Sequence, residues 1–245
     1  MKVIVVPNKD KMGAIGARII AEDMKGRLFY KLGLATGSTP IPVYQELIRL
    51  NKEKKVDFSR VITFNLDEYV GIPGTHDQSY RYFMNKQLFD HVNIPKQNTN
   101  VPDGMAKNIP AHCADYESWM ESVGGIDLQV LGIGGNGHIG FNEPGSSIAS
   151  RTRQVKLTPE TIRDNARFFA KAADVPKTAI SMGIGTVLDA AKIVLFANGA
   201  NKAAAIAAAI EGPVSVKCPA SALQLHPDVT FVITKDAAAN LTLKF

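Results

Sequence analysis

The chain has 245 residues, 45% hydrophobic and 21% charged, enough apolar material for a sizeable core and too much for a disordered or low-complexity chain. Its net charge of +5 is spread thinly. The densest basic group, NKEKK at Asn51 to Lys55, contains an acid and ends a helical pattern, so it reads as a solvated helix end; nucleic acid is not an expected partner, and a mild positive field suits a small anion. No apolar run approaches about 18 residues, and MKVIVVP is too short for a signal-peptide core, so neither a membrane span nor a secretory leader is expected. Cys113 and Cys218 form no C-x-x-C pair and read as reduced, buried thiols, which fits a cytoplasmic location.

Taken in order, short β-branched runs alternate with helical patterns. Val3 to Val6 (VIVV) predicts a strand, and MGAIGARIIAEDMKG repeats apolar residues at helical spacing. Leu32 to Ala35 predicts a second strand, PVYQELIRL a helix, and Val61 to Leu66 (VITFNL) a third strand followed by a long loop rich in Gly, Pro and Asp. HCADYESWMESVGG predicts a helix stopped by glycine, and DLQVLGI another strand. AISMGI, IVLFA and TFVIT follow, separated by the helical TVLDAAK and ANKAAAIAAAIEG. The rhythm predicts one α/β domain over residues 1–245, Rossmann-like, with a largely parallel sheet and helices on both faces. In such sheets ligands bind beyond the carboxyl ends of the strands, so the loops there are the ones to read.

Four such places carry chemistry. After the second strand, Thr36-Gly37-Ser38-Thr39 runs into a helix with Pro40 near its start, which serves either as an ordinary helix cap or as an anion site of hydroxyls and N–H groups. After the third strand come Asp67 and Glu68, acids that a cap, a surface turn or a proton abstraction would explain, with Tyr69 placed to shield them from water. After DLQVL comes GIGGNGHIGFNEPGSS. Its opening matches G-x-G-x-x-G, but two glycines and a proline within eight positions make a poor helix, and no strand-end acid follows about 20 residues on. A dinucleotide site is therefore rejected. What remains is a loop carrying His138 and, five residues on, Glu143, with no Cys/His cluster that would suit a metal. The fourth set is cationic: Arg167 in NARFF, and Lys202 in the first turn of a predicted helix, where a bound phosphate would offset the unfavourable dipole.

Taken together, LGLATGSTP, TFNLDEYVG, LGIGGNGHIGFNEPGSS, SRT, NARFF and ALQLHPD resemble the glucosamine-6-phosphate deaminase family over nearly the whole chain. The long central motif is the specific one. The resemblance implies a hydrolase that needs no cofactor or metal and turns glucosamine 6-phosphate and water into fructose 6-phosphate and ammonia, in amino-sugar catabolism. It implies that His138 opens the sugar ring, that Glu143 orients His138, and that Asp67 is the proton acceptor for the ring-opened substrate. Asn136 stands where some relatives carry aspartate; it can orient His138 but brings no charge. The phosphate would be held by Thr36, Gly37, Ser38, Thr39, Arg167 and Lys202, and LTPETIRDNARFFAKAADVPKTAI resembles the family's mobile lid. Some relatives are hexamers activated by N-acetylglucosamine 6-phosphate, so a homo-oligomer is a further expectation. Ser146 and Arg153 match part of that effector site, but Val155 and Lys156 depart from it and the chain ends at Phe245, so strong activation is not expected.

Two other readings remain at this point. A 6-phosphogluconolactonase-like hydrolase resembles the chain at Asp67-Glu68, but its acidic pair is typically followed by arginine and its central loop lacks Asn142-Glu143-Pro144. A non-catalytic sugar-phosphate sensor would carry a DNA-reading segment, for which MKVIVVP leaves no room.

Overall fold

A computed structural model describes residues 1–166, 169, 171 and 174–243. Strands β1 (Lys2–Val6), β2 (Tyr30–Leu34), β3 (Val61–Asn65), β5 (Thr99–Asn100), β6 (Leu128–Leu131), β9 (Ile193–Ala197) and β10 (Val229–Thr234) form a seven-stranded sheet in the order β1-β10-β9-β6-β2-β3-β5, and every pairing in it is parallel. Helices α1 (Lys9–Met24), α2 (Ile41–Lys52), α3 (Tyr80–Gln87), α4 (Ile109–Ser122), α5 (Pro159–Ala166), α6 (Ile184–Leu188) and α7 (Ala203–Ile210) connect the strands.

The strand register shows that helices cover both faces. Side chains alternate along a strand, and residues paired across a parallel sheet share a face. Phe64 pairs with Gly33 and Gly33 with Gln129, so these three share one face; there the Phe64 ring meets Tyr116 of α4 edge-on at 5.9 Å. Leu131 lies on that face with its partner Leu195, so Phe196 points to the other, where its ring lies against Gly16 of α1. Helix α2 packs on α1. Helix α1 forms because Asn8 caps it, accepting from the Lys11 N–H at 2.9 Å, and because Ala17, Ile20 and Met24 recur at helical spacing to bury one stripe. Strands β6 and β9 are buried along their full length, as sheets covered on both sides require.

A second sheet departs from the expected plan. Strand β4 (Asp67–Tyr69) pairs antiparallel with β8 (Thr178–Ser181), which pairs antiparallel with β7 (Arg153–Lys156). AISMGI, expected alongside the parallel strands, lies here. Leu66 is the junction: its N–H donates to Leu34 of the main sheet at 3.1 Å, and its carbonyl accepts from Met182 at 2.7 Å. The stretch read as a long loop after the third strand thus holds both β4 and α3, the latter capped by Ser79, whose Oγ accepts from the Tyr82 N–H at 3.0 Å.

Strand order locates the crevice. From β2 the chain moves outward to β3 and β5; from β6 it moves the opposite way, to β9, β10 and their neighbour β1. Loops leaving neighbouring strands β2 and β6 therefore diverge, and the gap between them opens at the strand carboxyl ends. Cys113 and Cys218 are both buried free thiols. No helix among the described residues is long and apolar enough to cross a membrane.

Candidate active site

The loop after β2 is anchored from below. The buried hydroxyl of Tyr44, on α2, donates to the Ala35 carbonyl at 2.5 Å and accepts from the Ala35 N–H at 3.2 Å. Thr36, Gly37, Ser38 and Thr39 follow and cross the start of α2, where Pro40 is the cap residue and no side chain caps the helix. Hydroxyls, loop N–H groups and the positive end of a helix dipole are the groups suited to an anion.

Asp67 follows the Leu66 junction and is 6% exposed. Burial, with the neighbouring Glu68 charge adding to it, pushes its carboxyl up to about 8. The central loop comes close: a Cβ on Gly140, whose φ is +55°, would stand 3.5 Å from Asp67 Oδ2 and 3.2 Å from Ser181 Oγ. Only glycine takes that backbone conformation freely.

His138 sits in the loop after β6, and its ring lies on Gly134. A Cβ at 134 would fall 2.2–2.4 Å from three ring atoms, so any side chain there displaces the imidazole. Its Nδ1 lies 2.8 Å from Asn136 Oδ1 and 3.5 Å from Glu143 Oε2. The Asn136 amide nitrogen donates to Glu143 Oε2 at 2.8 Å, and the Thr161 hydroxyl donates to Glu143 Oε1 at 3.1 Å. With its NH₂ directed at Glu143, Asn136 offers its oxygen to His138, which assigns the ring proton to Nδ1 and leaves Nε2 to accept one. The His138 imidazole 3.5 Å away, reinforced by the Asn136 and Thr161 donors, outweighs partial burial and holds Glu143 down at about 2.

Lys202 ends a short 3₁₀ turn, Ala200–Lys202, between β9 and α7. It is the residue before α7 and not part of that helix's first turn, as the sequence had suggested. Arg167 lies outside the described residues.

All the other predicted site residues line one cavity of about 580 Å³: Thr36 to Thr39, Asp67, Asn136, His138, Glu143 and Lys202. Of its aromatic wall the sequence singled out Tyr69 but not Tyr80 or Phe141. Tyr80 lies 4.8 Å from Tyr69 and stacks on Phe141 at 6.0 Å, with 9° between the rings. Thr158, Thr161 and Phe169, from the stretch that resembles a lid, also line the cavity. The cue for Tyr80 was SYRYFM, a serine cap before a helix start, hidden in what reads as loop. Among the described residues, no group of three or more His, Cys, Asp or Glu side chains could hold a metal ion.

A family model described as glucosamine-6-phosphate isomerases/6-phosphogluconolactonase matches residues 9–232. The chain is 54% identical over 242 residues to a glucosamine-6-phosphate deaminase of Shewanella halifaxensis, covering 99% of this chain and 92% of that one. It is 51% identical over 239 residues to one of Thermoanaerobacter pseudethanolicus, with 98% and 94% covered. A solved structure of a monomeric glucosamine-6-phosphate deaminase superposes with a TM-score of 0.95 at 43% identity, over 98% of this chain and all of that one. The 6-phosphogluconolactonase of Trypanosoma cruzi shares the fold, with a TM-score of 0.77 at 19% identity over 99% and 97% of the two chains. The chain belongs to the glucosamine-6-phosphate isomerase/6-phosphogluconolactonase family, on its glucosamine-6-phosphate deaminase branch.

Proposed function

We propose that the protein is an enzyme that converts glucosamine 6-phosphate and water to fructose 6-phosphate and ammonia, a hydrolytic deamination joined to an aldose–ketose shift. The reading rests on one observation above the others: an anion cradle, an imidazole paired with a carboxylate, and a buried acid of raised basicity all face one cavity of sugar-phosphate size.

The phosphate occupies the Thr36–Thr39 cradle, with Lys202 supplying a cation to the same cavity. Holding this remote group fixes the far end of the sugar against the two acids. His138 accepts the anomeric hydroxyl proton at Nε2 and returns a proton to the ring oxygen, which opens the ring. Glu143 is ionised throughout this step and stabilises the imidazolium that forms. The C1 aldehyde then acidifies the C2 proton. Ionised Asp67 removes it and delivers a proton to C1, giving a C2 imine; water adds to C2 and ammonia leaves. Burial makes Asp67 a stronger base than a solvated carboxylate, as removing a carbon-bound proton demands. Tyr69, Tyr80 and Phe141 keep bulk water from this side of the cavity.

Incubation with glucosamine 6-phosphate, followed by assays for ammonia and fructose 6-phosphate in equal amounts, tests the reading. Hydrolysis of 6-phosphogluconolactone with no ammonia released from the amino sugar favours the lactonase, and tight sugar-phosphate binding without turnover favours a sensor. Closure of the segment around α5 is expected to protect its amides from hydrogen exchange when a substrate analogue binds.

A further inference from the structure

One buried acid beside the site takes no part in the steps above. Glu68 stands between Asp67 and Tyr69 in β4, and all three are buried. Asp67 and Tyr69 face the cavity; Glu68, by strand alternation, faces away from it. Its carboxylate accepts three backbone N–H groups: Oε1 from Tyr69 at 2.8 Å and Tyr80 at 2.9 Å, Oε2 from Arg81 at 2.9 Å. Tyr80 and Arg81 open α3, so two of the three donors are first-turn N–H groups that have no partner within the helix, at the end where the dipole favours an anion.

Two adjacent buried acids do not both ionise cheaply, and their surroundings are unequal. Near Glu68, besides the three N–H groups, stands the guanidinium of Arg81, itself bonded to Thr99. Burial pushes the Glu68 carboxyl up, and these donors pull against it. Near Asp67 stand the phenols of Tyr44 on α2, Tyr80 on α3 and Tyr116 on α4, all kept neutral by burial; on β8 stands Ser181, and across the cavity His138 and Glu143. The negative charge therefore belongs on Glu68 and the exchangeable proton on Asp67.

We propose that Glu68 is a positioning residue for proton abstraction: it ties the strand carrying Asp67 to the helix start carrying Tyr80, and it keeps a fixed negative charge behind Asp67, so that the acid facing the substrate is the one that exchanges a proton. The inference rests on the reading of Asp67 as the base at C2. The same tether sets Tyr80 against Tyr69 in the wall of the cavity.

The test is ¹³C NMR of protein labelled at aspartate carboxyl carbons, the Asp67 signal being the one lost in Asp67→Asn. In Glu68→Gln, of nearly equal volume but uncharged, the Asp67 midpoint is expected to fall from near 8 to about 7 or below, and the low-pH limb of kcat/KM to move with it. A midpoint within about 0.3 of the wild-type value in folded Glu68→Gln overturns the proposal. Should that variant not fold, Glu68→Asp keeps the charge but is too short to reach both Tyr80 and Arg81. It is expected to lower kcat at least about tenfold with KM within about twofold, and unchanged kcat overturns the proposal. The NMR measurement needs no turnover, so a normal Glu68 effect in a protein that releases no ammonia would sink the deaminase reading alone.

Discussion

Asp67 and Glu143 are carboxyl groups pushed in opposite directions by their neighbours, one up to about 8 and the other down to about 2. The consequences for stability have opposite signs. Glu143, depressed from 4.5 when unfolded, contributes stability that is full above pH 4.5 and lost as pH falls toward 2. Asp67, raised from 3.8, contributes stability that is full below pH 3.8 and lost as pH rises through 8. Asp67→Asn removes the second dependence. Urea denaturation is therefore expected to show the variant gaining on the wild type between pH 5 and 8.5, by up to about 4 kcal/mol. A constant difference between the two proteins across that range would mean that Asp67 is not the buried, proton-retaining acid described here. The same variant is expected to release ammonia at least about 10²–10⁴-fold more slowly while still binding sugar phosphate. His138→Gln is expected to impair mainly turnover of the ring-closed sugar, by a comparable factor. Full activity in both variants would remove these residues from the mechanism. His138, Glu143 and Asp67 were each legible as residues after strands. Asn136 was also named as able to orient His138; that its oxygen meets Nδ1 while its nitrogen goes to Glu143 is seen only in the folded loop.

Among the elements, the β2–α2 connection shows how a helix can hold its own binding loop. Tyr44 reaches back past the start of α2 to grip both backbone groups of Ala35, immediately before Thr36. Tyr44→Phe leaves that N–H and carbonyl without the hydroxyl, at a cost of about 1–3 kcal/mol. The expected kinetic signature is a raised KM and weaker competitive inhibition by inorganic phosphate, with kcat changed less. A loss confined to kcat would show that Tyr44 does not support the phosphate end. Strand β4 and helix α3 went unread because each is short. Asp-Glu-Tyr has two charges and no apolar alternation, and in α3 only Met84 is buried, so no period emerges. Their existence depends on partners outside the segments themselves: β8, far along the chain, for the strand, and Glu68 for the helix start.

Across the whole molecule, the site exists because the strand order reverses between β2 and β6. Local patterning announced most strands and helices in nearly correct places; the caps that start α1 and α5 appear in the structure, where Asn8 accepts from the Lys11 N–H at 2.9 Å and Thr158 Oγ1 from the Thr161 N–H at 3.1 Å. It did not separate β8 from the parallel strands, since a buried run such as AISMG has the same composition whichever way its neighbour runs. The sheet's support can be tested apart from its chemistry. Phe196→Ala empties the space against Gly16 of α1 and is expected to cost about 3–5 kcal/mol of unfolding free energy, while the Asp67 midpoint stays in place. A shifted midpoint would show that packing under β9 reaches the acid.

The sequence by itself determined the alternation of strands and helices, the class of loop at each strand end, and the residue types available for chemistry, because those depend on neighbours within a few positions. Only the tertiary structure decided that Asp67 is buried beside a second acid, that Lys202 and the Thr36–Thr39 loop face the same cavity as His138, and that Tyr80 walls it. Those facts arise from packing between segments that no local pattern links. Burial, which sets the basicity of Asp67, is a property of everything packed around a group and is written in no single stretch of the chain.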